Sequence, residues 1–290
     1  MWSMSNPITP AQSSNSPSSQ SPIASPKEIV GIAANAMLGK ATARPTKMFM
    51  LAASAGAFIA LGFTFFTTVA TGSNHLPFGV AKLLSGLVFS VGLGLVIITG
   101  ADLFTSTTMN LVAKAEGMLN WPQVFAHWAV VYVGNLVGSL GVVALCYFGG
   151  LQKNANGAWG QTIVATASAK LSHTPFECFV LGIGCNLAVC LAVWLSYAGR
   201  SLTDKIVAVI GPISLFVAVG FEHSVANMYM LPYGLLLDYG HGPLTLFNAL
   251  FVNLLPVTLG NILGGGVFVG IYFWYAHKHP HSTADSQPGQ

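Results

Sequence analysis

Residues 220–228 read GFEHSVANM, with Glu222 and His223 side by side in a run that has no other formal charge between Lys205 and Asp238. One unbroken helix from Lys205 to Asp238 would be about 50 Å long, against a bilayer hydrocarbon core of about 30 Å. A break at mid-depth resolves both the excess length and the buried acid. Non-helical backbone is tolerated there only when it is enclosed in protein or lines a wet cavity. The stretch has the parts for a break: Gly220 two residues before the acid, then Ser224 and Asn227 to bond freed backbone groups. Residues 100–109, GADLFTSTTM, repeat the pattern 120 positions earlier, and Asp102 is the lone charge between Lys82 and Lys114.

The whole chain has the same character. Only 7% of its residues are charged and 53% are hydrophobic, with a mean hydropathy of +0.65; soluble domains carry about 25% charged residues. This is the composition of a polytopic all-α membrane protein. Spans are expected at 48–71, 78–114, 121–150, 174–199, 203–238 and 246–276, the second and fifth of them broken. A second echo pairs GNLVGSLGVV, from Gly134, with GNILGGGVFV, from Gly260; both hold the G-x-x-x-G spacing that lets helices approach closely. Two halves of three crossings, each with a broken middle member, predict an inverted 3+3 repeat whose breaks meet near the midplane.

Outside the crossings, 1–26 is a Ser/Pro-rich stretch expected to be a disordered cytoplasmic tail, without the apolar core of a signal peptide. In 27–47, Ile29, Val30, Ile32, Ala33, Ala36 and Met37 recur at helical spacing before Lys40, Arg44 and Lys47, predicting an amphipathic interfacial helix. The six-helix transmembrane domain then spans 48–276 and a cytoplasmic tail is expected at 277–290. With the N-terminus inside, Lys27, Lys40, Arg44, Lys47, Lys114, Arg200, Lys205 and Lys278 are cytoplasmic, while Lys82, Lys153 and Lys170 are not. That bias of eight against three puts both termini in the cytoplasm. The net charge of +3 is scattered and leaves no footprint for nucleic acid. Cys146, Cys178, Cys185 and Cys190 lie in apolar runs without C-x-x-C spacing and read as small packing residues. HKHPH at 277–281 reads as a solvated basic tail, and no metal or other cofactor is expected. His127, beside Trp128, reads as an interfacial residue, with Trp121, Trp274 and Tyr275 as interface anchors.

An ionisable residue at mid-membrane is a functional candidate by default. The chain has no series of acids for a proton wire, no Arg-rich sensor and no nucleotide loop. His223 changes charge near physiological pH, and with Thr105, Ser106 and asparagine amides it offers hydrogen bonds to a small anion. Asp102 and Glu222 would repel an anion, so they are expected to support the broken loops by accepting from backbone N–H groups and hydroxyls. Without a nucleophile–base pair beside His223, an enzyme is not expected. A neutral-solute channel is the rival class, although neither break carries Asn-Pro-Ala.

GADLFTSTTM and the following NLVAKAEG (110–117), CNLAVCLAVWLSYAGRSLTDK (185–205), FEHSVANM (221–228) and LPVTLGNILGGG (255–266) together resemble the formate–nitrite transporter family. The resemblance runs from Lys27 to Tyr275, and NLVAKAEG and YAGRSLTDK are similar to its formate members. It implies an aquaporin-like fold in a homopentamer of the cytoplasmic membrane, one pore per protomer, with formate and protons as partners. Nitrite and hydrosulfide stay open as substrates. It further implies contact between Thr105 and His223, and two apolar constrictions from Leu93 and Leu103 with Phe89 and Phe216. Asn186 and Asn261 would stand near the pore histidine, and Lys170 would attract anions at the outer face. Phe104 and Ser106 join Asp102 and Glu222 as loop supports. The connection DYGHGPLTLF (238–247) and the Ser/Pro-rich head depart from the formate members.

Overall fold

The computed structural model describes residues 23–278, which form helices and turns and no strand. The tail and the HKHPH motif expected at the two ends lie largely outside the described residues. In chain order the helices are α1 (Pro26–Ala41), α2 (Pro45–Ala70), α3 (Phe78–Thr99), α4 (Phe104–Thr107), α5 (Asn110–Ala115) and α6 (Trp121–Phe148). After these come α7 (Ala158–Leu171), α8 (Pro175–Ala198), α9 (Leu202–Val219), α10 (Ser224–Asp238) and a last crossing, α11 (Asn248–Lys278). Six helices are long and apolar enough to span: α2, α3, α6, α8, α9 and α11.

The second and fifth crossings are interrupted where their length and their acids require it. α3 stops at Thr99 and α9 at Val219; the next residues, Gly100 and Gly220, take left-handed conformations with φ of 71° and 82°. A side chain would be strained at that φ, so glycine is what lets each helix end on its own last-turn carbonyls. The chain re-enters helix at Phe104 and at Ser224.

α1 starts on a reciprocal cap, in which Ser25 Oγ accepts from Glu28 N–H and the Glu28 carboxylate accepts from Ser25 N–H. The backbone and hydroxyl donors of Ser25 hold the Glu28 carboxyl below the usual carboxylate range. Ile29, Val30, Ala33, Ala34 and Met37 form its buried stripe, against α5 and α8, whereas Ile32 is exposed. α7 was not expected from the sequence. At 14 residues it is too short to cross, so a search for spans passes over it. Its signal is Trp159, Ile163, Ala167 and Leu171, a buried stripe at four-residue spacing.

The glycine echo has a direct packing meaning. A Cβ at Gly134 or Gly138 of α6 would collide with Ala52 or with the Ala53 carbonyl of α2. One at Gly260 or Gly264 of α11 would collide with the Phe179 or Ile183 carbonyl of α8. Both pairs therefore pack backbone to backbone, and α11 adds two wider π-helical stretches, Asn248–Leu254 and Ile262–Ile271. Gly141, on the same helix as Gly138, faces open space. Gly138→Ala is therefore expected to cost about 1–3 kcal/mol through overpacking, with Gly141→Ala near neutral. Thermal unfolding of detergent-solubilised protein reads this, and equal losses for the two variants would refute the close α2–α6 contact.

Candidate functional site

Each break is held by one asparagine and one main-chain bond to a neighbouring helix. At the first, Asp102 N–H donates to Leu51 O (3.1 Å) and Phe104 N–H to Asn135 Oδ1 (2.8 Å). Asn135 Nδ2 donates in turn to the carbonyls of Asp102 (2.9 Å) and Ala52 (2.7 Å). At the second, Glu222 N–H donates to Leu181 O (3.3 Å) and Ser224 N–H to Asn261 Oδ1 (2.9 Å). Asn261 Nδ2 donates to the carbonyls of Glu222 (3.0 Å) and Gly182 (2.8 Å). Each of these four bonds at one break thus has a counterpart at the other. Asn135 is missing from the residues singled out in the sequence, although the echo of GNLVGSLGVV and GNILGGGVFV contains it.

The acids do not do what the sequence suggested. Their carboxylates take lysines rather than break N–H groups. Asp102 accepts from Lys40 Nζ (3.0 Å) and faces His127 Nε2 (3.3 Å). Glu222 accepts from Lys170 Nζ (2.8 Å), Asn227 Nδ2 (2.6 Å) and Asn253 Nδ2 (3.2 Å). Lys40 also donates to the Ala101 carbonyl (2.7 Å), so α1 clips the first break directly. The two lysines sit 130 positions apart near the ends of α1 and α7, which makes those short helices counterparts too. His127 is buried at 1% exposure against Asp102 and is not an interfacial residue. Ser106 Oγ donates to Leu103 O (2.9 Å), and the Phe104 ring packs edge-on to Tyr132, 4.9 Å between centroids.

His223 lies at the mouth of α10, buried at 2% exposure. Its Nδ1 accepts from Ala226 N–H (3.1 Å), capping the helix. That bond fixes the tautomer: a neutral ring carries its proton on Nε2, directed at Thr105 Oγ1 of the first break (3.0 Å). Asn186 of α8 braces the same place, donating to Thr105 O (3.0 Å), Thr108 Oγ1 (3.1 Å) and Asn261 O (2.6 Å). Phe216 stacks on the imidazole (5.8 Å) and meets Phe89 edge-on (5.7 Å).

Two cavities of ≈ 200 Å³ approach this centre. One reaches His223 past Phe89, Phe216 and Lys170; the other is lined by Lys40, Gly100, Ala101 and Ser106. Leu93 and Leu103, buried at 1% and 0% exposure, line neither.

Residues 27–275 match the family model described as formate/nitrite transporter. The chain belongs to the formate/nitrite transporter family. It is 46% identical over 273 residues to the formate channel FocA of Escherichia coli K12, covering 88% of this chain and 96% of that one. It is 47% identical over 268 residues to FocA of Haemophilus influenzae, covering 87% and 94%. Among solved structures it superposes on one described as a pentameric formate channel with formate bound. That match has a TM-score of 0.76 and 43% identity and covers 81% of this chain and 98% of that one. These relatives are channels, so the family is one of membrane transport proteins and not of enzymes.

If the asparagines close the breaks, Asn135→Leu and Asn261→Leu should be comparably damaging. Each strands one buried N–H and two carbonyls, at about 1–3 kcal/mol per unsatisfied group. Folded yield and thermal midpoint after membrane extraction measure the loss; an unaffected Asn135→Leu would mean that the first break is held elsewhere.

Proposed function

We propose that this chain carries formate, and related small monovalent anions, through a pore whose central contact is the Nε2–H of His223. The observation that carries the reading is that donor, reached by the cavity past Phe89 and Phe216 and oriented by its own helix cap. FocA relatives and the formate-bound structural match support formate as the substrate. Nitrite stays as a second substrate because the family description includes it.

An anion entering the first cavity meets Lys170, whose charge is already balanced by Glu222. It is drawn in without being trapped by a bare ammonium. Passing the Phe89 and Phe216 rings strips water, which is costly unless hydrogen bonds replace it. Nε2–H of His223 supplies one, and the Thr105 hydroxyl, free to rotate, supplies a second. Asn186 and Asn261 hold Thr105 and the second break in place for that exchange. Leu93 and Leu103 divide this centre from the Lys40-lined cavity and set the second barrier. Proton-coupled passage asks more of the site. A charged imidazole needs a proton on Nδ1, so the bond from Ala226 N–H has to open first. The neutral donor needs no such rearrangement and is the reading preferred here.

The match to a pentameric channel supports a homopentamer with one pore per protomer. The excess of Lys and Arg on one side supports a cytoplasmic membrane location with both termini inside.

Formate currents in planar bilayers, with little or no sulfate current, are expected for a single small-anion site. Equal sulfate current would overturn it. His223→Phe deletes a hydrogen bond to a charged solute, about 1.5–3 kcal/mol, and so should lower formate flux about tenfold to a hundredfold. His223→Asn keeps both an acceptor for Ala226 N–H and a donor, and should retain most of the flux. Uptake with simultaneous proton recording from pH 5 to 8 completes the test. Formate flux that always moves protons, and stops moving them in His223→Asn, would replace the neutral-donor mechanism with proton coupling.

Leu103→Ala should widen the second barrier and admit larger carboxylates. Lactate flux that stays at the parent level in a folded variant would remove Leu103 from the pathway.

A further inference from the structure

The asparagine, main-chain and lysine ties of the two breaks match, but one partner of the acids differs in chemistry. Glu222 takes its second-helix partner from Asn253, eight residues before Asn261; Asp102 takes its own from His127, eight residues before Asn135. An amide that cannot titrate in one half is replaced by an imidazole in the other. We propose that His127 is a second proton-binding site, built into the first break, which adds one positive charge to the Lys40–Asp102 pair when the pH on that side falls.

Geometry decides where the proton goes. Nε2 faces the Asp102 carboxylate, which can only accept, so the neutral ring carries its hydrogen there. Nδ1 is buried and has no hydrogen-bond partner in the described structure, leaving a lone pair to take the proton. His223 is the opposite case, because Ala226 N–H occupies its Nδ1. Histidine is the side chain whose charge changes between about pH 5 and 8. The ionisable groups facing His127 are Asp102 of the break and, through Asp102, Lys40 of α1; Tyr197 of α8 stands within electrostatic range of Asp102.

With His127 neutral, the Lys40 and Asp102 charges cancel. With it protonated, two cations share one carboxylate, Lys40 on Oδ1 and His127 on Oδ2, and the cluster is net positive. Lys40 and Ser106 line the same cavity, so the extra charge raises the local anion concentration at that mouth. Glu222 has Lys170 and two asparagine amides instead, with no imidazole among its hydrogen-bond partners in the described residues. Only the acid of the first break therefore has a titratable imidazole as a direct partner.

The test uses the full chain in lipid nanodiscs with ¹⁵N-labelled histidine. The signal missing from His127→Asn identifies the residue, and in the parent protein it should pass from the neutral Nε2–H form to the doubly protonated form between pH 8 and 5. The second arm rests on the formate reading. The ratio of subsaturating formate flux at pH 5.5 to that at pH 7.5, with pH changed only on the Lys40 side, should exceed the ratio in His127→Asn by on the order of threefold. His127→Gln serves if the asparagine variant does not fold. A His127 ring that holds one protonation state from pH 5 to 8 overturns the proposal. So does a flux ratio that is identical in parent and variant. If the protein carries no formate at all, the proposed function fails and the nitrogen signals still decide the protonation.

Discussion

A chain that leaves helical geometry at mid-membrane must hydrogen-bond every freed backbone group within the protein, because lipid offers nothing in exchange. Each group left bare costs several kcal/mol. In this channel a single asparagine answers most of that demand at each break, by accepting one N–H and donating to two carbonyls. Placing the asparagine on a neighbouring helix in turn requires helices in backbone contact, which is what the glycines of α6 and α11 provide. The acids add a second tie. Asp102 and Glu222 are buried at 1% and 2% exposure and are tolerable there because lysines and amides surround them. Removing one partner of such a pair typically costs about 3–5 kcal/mol. The acids thus hold short helices, α1 and α7, against the breaks, and the centre between the breaks is left to uncharged donors.

Much of this was legible in the residues. The excess length of two apolar runs and the acid in each required the breaks, and the twin glycines located their ends. The resemblance named His223 with Thr105, and the structure puts them 3.0 Å apart. What escaped has a common cause. Lys40 reaches Asp102 across 62 positions and Lys170 reaches Glu222 across 52, distances at which no local pattern signals a contact. Nothing in the residues around Lys40 shows that it is also a ligand to the break. His127 was assigned by its tryptophan neighbour and not by its helical register with Asn135, two turns away on the same face. α7 escaped because apolar length, the strongest signal in a membrane sequence, says nothing about a helix that does not cross.

His223 serves two structures at once. Its Nδ1 belongs to the α10 backbone and its Nε2 to Thr105 of the first break, so the ring cannot turn without uncapping the helix. A donor fixed in this way has little freedom left to lose on meeting a hydrogen-bond acceptor.

The partners of each break also have a consequence for how the molecule is made. Lys40, Leu51, Ala52, His127 and Asn135, which complete the first break, all precede α7; Lys170, Leu181, Gly182, Asn227, Asn253 and Asn261, which complete the second, all follow α6. Each half is self-sufficient as it leaves the ribosome, and the first can close before the second has been synthesised. The bonds from His223 and Asn186 to Thr105 are different, since they join the halves. The centre around His223 is a seam between the two halves, and it cannot form until both are in place.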